Sequence, residues 1–470
     1  MSGPTRRRGP AAAVSVRAAR LMVAALTLGG LACVSRRVPD PGPPTIILPP
    51  ASAPDTIVRA AAPPEPPITE PTPEAPADGA LDVRIALAAS ATEAPLAATG
   101  AWRLFDARDG VLVRGGANDQ WTVQRRGLQV RAMRRGGQAT AWVDGSVTMR
   151  TESGVAFALF AGRRYRGAIR VVANDTGLVV VNVLPVEDYL RGVVPLEIGG
   201  TRGVSDQAAV EAQAIAARSY AWVRLNSVRG SAWRTASYDM AATVSDQVYG
   251  GVDAERENSD RAVRATSGLV IKYGGRIVDA PYSSSCGGAS AAPDEVWRAA
   301  PAAYLRRVSD RIPGSAERYY CDIAPRFAWT RAFTSAELDA AVRTYLRQYS
   351  DVPSGGAGHV RGLAVEERTP SGRVGRAVFM TERGNFAVRA NDIRYVLRQP
   401  GGEILNSTYF SVNTETARDG SLARVVLTGN GYGHGVGMCQ WGAIGRARAG
   451  QTARSILAAY YPGTTVGPAS

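Results

Sequence analysis

Three groups of residues have the types and spacing to do chemistry. The first is Glu197, which ends the apolar run Val193-Val194-Pro195-Leu196 and precedes Gly199, Gly200 and Gly203. A carboxylate between packed side chains and a flexible break is expected at the rim of a cleft. Partial desolvation there disfavours the charged form and raises the pKa, which suits a general acid working near neutral pH. The second is His434, presented in a tight loop by Gly431, Gly433, Gly435 and Gly437. The third is a set of thiols. With Cys33 set aside, Cys286, Cys321 and Cys439 remain. An even number in an exported chain reads as disulfides. Three leave two alternatives: a Cys286–Cys321 disulfide with Cys439 buried, or a structural zinc site of three thiolates completed by His434 or water. No CxxC…CxxC spacing chooses between them.

The elements that must position these groups can be read in outline. Leu178 to Leu184 is apolar enough for a buried strand. After Glu197 and its glycines, Ser205 is placed to cap a long helix. Val210, Ala214, Ala217, Ala221 and Leu225 form the buried stripe of that helix at helical spacing. Arg218 lies on a neighbouring face, where an ion pair to Glu211 or another acid is its plain structural role. A further helix is expected from about Ala254 to Ser267. A hairpin around Gly274-Gly275 then delivers Tyr282-Ser283-Ser284-Ser285-Cys286-Gly287-Gly288. Adjacent glycines such as Gly287 and Gly288 let backbone approach a ligand closely.

Residues 80 to 165 alternate apolar and polar positions between Gly-containing turns, as in Leu81-Asp82-Val83-Arg84-Ile85 and Leu128-Gln129-Val130-Arg131. They predict a small β-domain without a catalytic cluster. Residues 300 to 420 read as an added lobe with one well-signalled helix. Phe333, Thr334, Glu337 and Leu338 make a capping box with a hydrophobic staple at its start. Behind the His434 loop, Gly450 ends one helix, and a last one runs from Ala453 to Tyr460.

A chain of 470 residues leaves room for roughly two to three domains. Arg6, Arg7, Arg8, Arg17 and Arg20 flank and precede the apolar run Leu21 to Leu31, then Ala32-Cys33. That run is shorter than the about 20 residues of a membrane span and reads as an export signal over residues 1–33. Cys33 after a small residue suggests lipidation, although Gly30 stands where the usual lipobox has Leu. Residues 34–79 carry Pro43-Pro44, Pro49-Pro50, Pro63-Pro64 and Pro66-Pro67. Such a linker favours extended polyproline conformations and, at about 3.1 Å per residue, reaches roughly 100 Å. The net charge is +14, and about +9 without the five arginines before Cys33. Basic excess suggests an anionic partner. Nucleic acid is one candidate, against which export argues; bacterial cell wall, whose glycan carries lactyl carboxylates, is another, and plain solvated surface charge is the structural alternative.

Several motifs together resemble the SpoIID/LytB family, known for a sporulation peptidoglycan hydrolase and an amidase enhancer. They are Glu187-Asp188-Tyr189-Leu190, Gly192-Val193-Val194-Pro195-Leu196-Glu197, Gln213-Ala214-Ile215-Ala216-Ala217-Arg218-Ser219-Tyr220-Ala221 and Gly431-Tyr432-Gly433-His434-Gly435-Val436-Gly437-Met438-Cys439-Gln440-Trp441-Gly442-Ala443. The resemblance runs from about residue 160 to 466. It implies an α+β fold with mixed sheets and a long helix after the catalytic Glu. Its two core parts are residues 166–299 and 421–466.

The resemblance also implies site residues. Glu197 is the catalytic acid. Arg218 lines the cleft and holds a lactyl carboxylate. Tyr220, Asp239, Gln247, Tyr249, Tyr282, Ser284, Gly287, Gly288, His434 and Gln440 contact substrate, with His434 binding sugar groups or orienting Glu197. Some family members bind zinc near the serine-glycine loop with histidine and cysteine. Here Ser283 and Ser284 stand where a histidine would be expected.

The function implied is a peptidoglycan lytic transglycosylase that cuts the MurNAc–GlcNAc bond with one carboxylate and no required cofactor, unlike the paired carboxylates of most glycosidases. The alternative is a non-catalytic wall-binding module that activates a cell-wall amidase. A metalloamidase is disfavoured, because His359 and His434 are the only histidines. The implied place is the cell envelope, with a membrane anchor through Cys33.

Overall fold

A computed structural model describes residues 82–229, 237–297 and 299–469. The export signal, the Cys33 lipidation site and the proline-rich linker lie outside the described residues.

The first described strand, Asp82–Ala91, pairs antiparallel with Leu178–Pro185 along its length, Asp82 opposite Pro185 and Ala91 opposite Leu178. These two are interior strands of a seven-stranded sheet. Its spatial order is Met240–Ala241, Asp82–Ala91, Leu178–Pro185, Ala168–Ala173, Ser146–Thr151, Trp102–Phe105 and Val111–Gly115. A six-stranded sheet built from residues 94–165 shares its core. Alternation does the sorting: in Trp102–Phe105 and Trp121–Val123 every second residue is buried, and Met149, Ile169 and Val171 join them. The boundary expected at residue 165 therefore falls inside one continuous sheet. The strands read as a separate β-domain form the floor on which the site elements stand.

Pro185 passes directly into helix α1, Val186–Ile198. Glu187 and Asp188 occupy its first turn, where the helix dipole favours acids. Tyr189, Leu190, Val193 and Val194 are fully buried, each contributing about 1.5–3 kcal/mol of apolar transfer. The helix stops after Pro195 at Gly199, whose φ of 101° ends the regular backbone. The apolar run before Glu197 is thus helical, and Glu197 sits in the last turn of that helix.

Helix α2, Gln207–Arg229, buries Val210, Ala214, Ala217, Ala221 and Leu225, as their spacing predicts. It is entered through the 3-10 turn Val204–Asp206, and Ser205 does not cap it; the Ser205 hydroxyl bonds Asp206 instead, at 3.3 Å. The many alanines of α2 allow α1, helix α3 (Glu257–Ala265) and the C-terminal helices Gln440–Arg448 and Ala453–Tyr460 to crowd around it. α3 is shorter at both ends than the helix expected over 254–267.

A second hydrophobic cluster gathers Trp329, Phe333, Leu338, Phe379, Val388, Ile393 and Leu427. It is the core of the lobe, formed by two three-stranded sheets and the helix Ser335–Tyr345. That helix begins as read: the Thr334 hydroxyl accepts from Glu337 N–H at 3.3 Å, and Thr334 N–H donates to the Glu337 carboxylate at 2.9 Å. The lobe limits differ from 300–420. Leu305, Tyr320 and Cys321 pack in or against the main core, whereas the strand Leu422–Asn430 belongs to the lobe. Together the architecture is α+β with several sheets.

Candidate active site

Glu197 is half-buried, and among the described residues it has a single hydrogen bond, from Val248 N–H at 3.0 Å. Burial raises its carboxyl above the ordinary 4.5, outweighing the downward pull of that N–H. The Tyr282 hydroxyl lies within reach of its charge. Burial first, and then Glu197, push that phenol well above its usual range. Gln247 ties the neighbouring groups together. Its side chain donates to the Tyr282 hydroxyl (3.0 Å) and to the Ala217 carbonyl (3.3 Å), and accepts from the Tyr189 hydroxyl (3.1 Å). Tyr220 flanks this group. Its hydroxyl donates to Asp246 at 3.2 Å, and burial pushes its pKa up to about 12.

The serine-glycine loop and the histidine loop are joined. Tyr282–Ser283 and Met438–Cys439 form a two-stranded parallel sheet, with a further bridge between Ser285 and Tyr432. His434 accepts from Val436 N–H at Nδ1 (3.1 Å), so Nε2 carries the proton and donates to the Tyr282 carbonyl (2.8 Å). Its ring packs on Trp297 at 4.9 Å. Burial, and then the nearby Arg394, bring its pKa down to about 4. Both ring nitrogens are used on backbone, which leaves neither for Glu197 or a sugar. His434 sets the backbone of Tyr282, and Gln247 sets its hydroxyl.

Other expected contacts are corrected. Arg218 is 0% exposed and does not line a cleft. It forks onto Glu187 with two bonds of 2.8 Å and donates to the Leu269 carbonyl at 3.0 Å. The ion-pair role holds, but the partner is Glu187 on α1, not Glu211. Asp239 is buried between Arg84 and Arg229. Burial alone would raise its carboxyl, and the two guanidiniums overcome this and hold it below 3.8. It anchors the entry to the strand Met240–Ala241.

Tyr249 is buried against Tyr165 and Tyr189, and its hydroxyl donates to Asn182 at 2.8 Å. Gln440 is buried with its amide on Gln213 at 3.2 Å. Gly287 has φ of 75°, and a Cβ there would meet the Asn430 backbone at 2.8 Å. Gly287 and the equally buried Gly288 serve close packing against the lobe and the Tyr319 ring, not ligand approach. Ser284 is half-buried, and its carbonyl accepts from Trp441 N–H at 3.0 Å.

The three cysteines are free thiols that meet in one buried cluster. Cys286 and Cys321 sulfurs are 3.6 Å apart, with no bond between them. The Cys439 sulfur accepts from Cys286 N–H (3.1 Å) and Gly442 N–H (3.3 Å). The fourth side chain is Asp310, not His434, and one donor atom from each of the four lies within 4.8 Å of the others. This donor set is compatible with a structural metal ion.

Sequence reasoning missed several of these residues. Asp310 carries no motif; only the fold brings it to the thiols. Glu187 was in view as part of a motif, but nothing in the sequence pairs it with a residue 31 positions on. Asp279 is half-buried with an unpartnered buried Oδ1, and burial raises its carboxyl against the opposing pull of Arg224.

Fold and site together define an α+β domain with a desolvated carboxylate at the end of α1 and two interlocked glycine loops. Residues 174–273 match the SpoIID family, described as Stage II sporulation protein. Residues 316–437 match a domain of unknown function, DUF8618. Over 314 residues the chain is 28% identical to the amidase enhancer of Bacillus subtilis (strain 168), covering 59% of this chain and 40% of that protein. Over 300 residues it is 29% identical to Stage II sporulation protein D of the same organism, covering 62% and 76%. The chain thus carries a SpoIID-family domain at residues 174–273 and is similar to both of these Bacillus subtilis proteins.

Proposed function

We propose that this chain is a peptidoglycan lytic transglycosylase. The observation that carries the reading is Glu197: half-buried, raised above 4.5, and held by a single backbone N–H beside the Tyr282 hydroxyl. Protonated Glu197 gives its proton to the glycosidic oxygen as the bond from MurNAc C1 to that oxygen breaks. The resulting carboxylate then takes the proton from the muramyl 6-hydroxyl as its oxygen bonds C1. The product is a 1,6-anhydro sugar, no water is consumed, and Glu197 ends in its starting state. Positive charge at C1 is relieved by the sugar's own acetamide, so one protein carboxylate suffices.

Tyr282 supplies a hydroxyl within electrostatic reach of this carboxylate, and Gln247 fixes it. Arg218 has no part in binding, because its guanidinium is spent on Glu187 and on backbone. No cofactor takes part in the acid–base steps. A structural zinc on Cys286, Cys321 and Cys439 belongs to the reading as a brace. Export, a lipid anchor at Cys33 and the proline-rich spacer complete it, and place the enzyme within reach of the wall.

Mass spectrometry of purified, peptide-free glycan after digestion tests the proposal. Anhydro-disaccharide from the wild type and none from Glu197→Gln supports it. A second reading has support in the name of the amidase enhancer: a non-catalytic activator of a cell-wall amidase. In that case Glu197→Gln leaves the chain's effect on an added amidase unchanged, and no anhydro product forms with either protein.

A further inference from the structure

We infer that Asp310 is the fourth ligand of a closed zinc site with Cys286, Cys321 and Cys439, and that this site locks the two glycine loops to the segment leading into the lobe. The inference rests on the structural-metal reading and is independent of the glycan chemistry.

The geometry carries it. Tetrahedral zinc with sulfur ligands at about 2.3 Å has sulfurs about 3.8 Å apart along each edge. Cys286 and Cys321 sulfurs are 3.6 Å apart, and the Cys286 sulfur is 3.8 Å from Asp310 Oδ2. These are edge lengths of a coordination polyhedron.

Asp310 is also divided in the way a ligand carboxylate should be. Its Oδ1 is occupied: Arg446 donates from Nη2 at 3.1 Å and Nε at 3.3 Å, and the Tyr460 hydroxyl donates at 2.7 Å. Oδ2 is turned toward the thiols. Groups behind a ligand that fix its orientation are a regular part of metal sites. Gly442 fits the same picture, since a Cβ there would meet Oδ2 at 2.2 Å and the Tyr460 hydroxyl at 2.0 Å.

Charge agrees with the distances. Three thiolates and one carboxylate around zinc leave excess negative charge, which Arg446 and the two N–H groups on Cys439 offset. Cys321, Cys439 and Asp310 are all 0% exposed, so a metal bound among them would be closed off from water. The ligands come from three stretches. Cys286 follows Tyr282 by four residues, Cys439 follows His434 by five, and Asp310 and Cys321 lie on the segment that enters the lobe. One ion would hold all three.

The test uses the full chain, purified under reducing conditions, with zinc content, competition with a chromophoric chelator, and the absorption spectrum after cobalt(II) substitution. One zinc per wild-type chain is expected, with tetrahedral cobalt bands and sulfur-to-cobalt charge transfer. Asp310→Asn is expected to weaken metal binding about 10–100-fold and to shift the cobalt bands. Asp310→Cys restores binding with a four-sulfur spectrum, which separates lost ligation from lost folding. Unaltered affinity and spectrum in Asp310→Asn would overturn the role of Asp310 while leaving a three-cysteine metal site. A metal-free wild type with a Cys286–Cys321 disulfide by mass mapping would overturn both.

Discussion

Helix α1 carries a carboxylate near each end, and the fold treats them in opposite ways. Glu187, in the first turn, is met by both arms of the fully buried Arg218 and by Gly268 N–H at 3.1 Å. Glu197, in the last turn, gets one N–H and partial burial. The first site is saturated and holds α1, α2 and the following strand together. The second is under-served, and an under-served carboxylate is the one free to exchange a proton. Retention of both within one short motif conceals this difference. It appears only when the partners of each oxygen are counted.

The sharpest way to break the comparison is to neutralise each end in turn. Glu197→Gln keeps the shape and removes the proton; we expect anhydro product to fall by about 10²–10⁴-fold, read by mass spectrometry of digested glycan. Stability should move the other way. Because the Glu197 pKa is raised on folding, its ionised form opposes the folded state as pH rises above 4.5. The Gln variant should therefore melt at or above the wild-type temperature at pH 7, and the difference should close below pH 4.5.

Arg218→Ala tests the other end. Removing one member of a buried pair costs about 3 kcal/mol, the lower part of the usual range, since the Glu187 side chain is 33% exposed and can be rehydrated. Urea melts should show that loss. Substrate affinity of whatever fraction stays folded should be unchanged, which a cleft-lining arginine would not allow.

His434 sharpens the contrast by pH. Its folded pKa lies below the unfolded 6.5, at about 4. The stability that depends on neutral imidazole is therefore complete above pH 6.5 and is lost as pH falls toward 4. His434→Gln should lose this part of the pH dependence when thermal midpoints are compared across that window. The smallest effect is expected at a satisfied cap far from the cleft: Thr334→Ala should cost about 1 kcal/mol with no change in product formation.

Much of the frame was legible in residues with local logic. The α2 stripe, the capping box at Thr334, the hairpin at Gly274-Gly275 and the last helix follow from spacing and turn chemistry alone. The partial burial of Glu197 was legible because its apolar approach and glycine exit are both in sequence. What failed was long-range pairing. Nothing local assigns Arg218 to Glu187, Asp239 to Arg84, or Asp310 to three cysteines. Tyr249, Gln440 and the Gly287-Gly288 pair were read as ligand contacts because they sit in signature motifs. In the fold they are buried packing, which preserves a motif as firmly as chemistry does. The domain boundary at 165 failed for a similar reason: alternating strands identify a sheet but not which later strands will join it.

Arg373 shows what the lobe does for the rest of the chain. Its guanidinium is 1% exposed, donates to the Cys286 carbonyl at 2.8 Å and the Ala289 carbonyl at 3.0 Å, and reaches them from the lobe. Those carbonyls belong to the loop that carries Tyr282. Excising residues 328–430 would expose them without a donor, and the damage would surface far from the cut. A relative that dispenses with this insert must cap the same two oxygens with some other cation or amide.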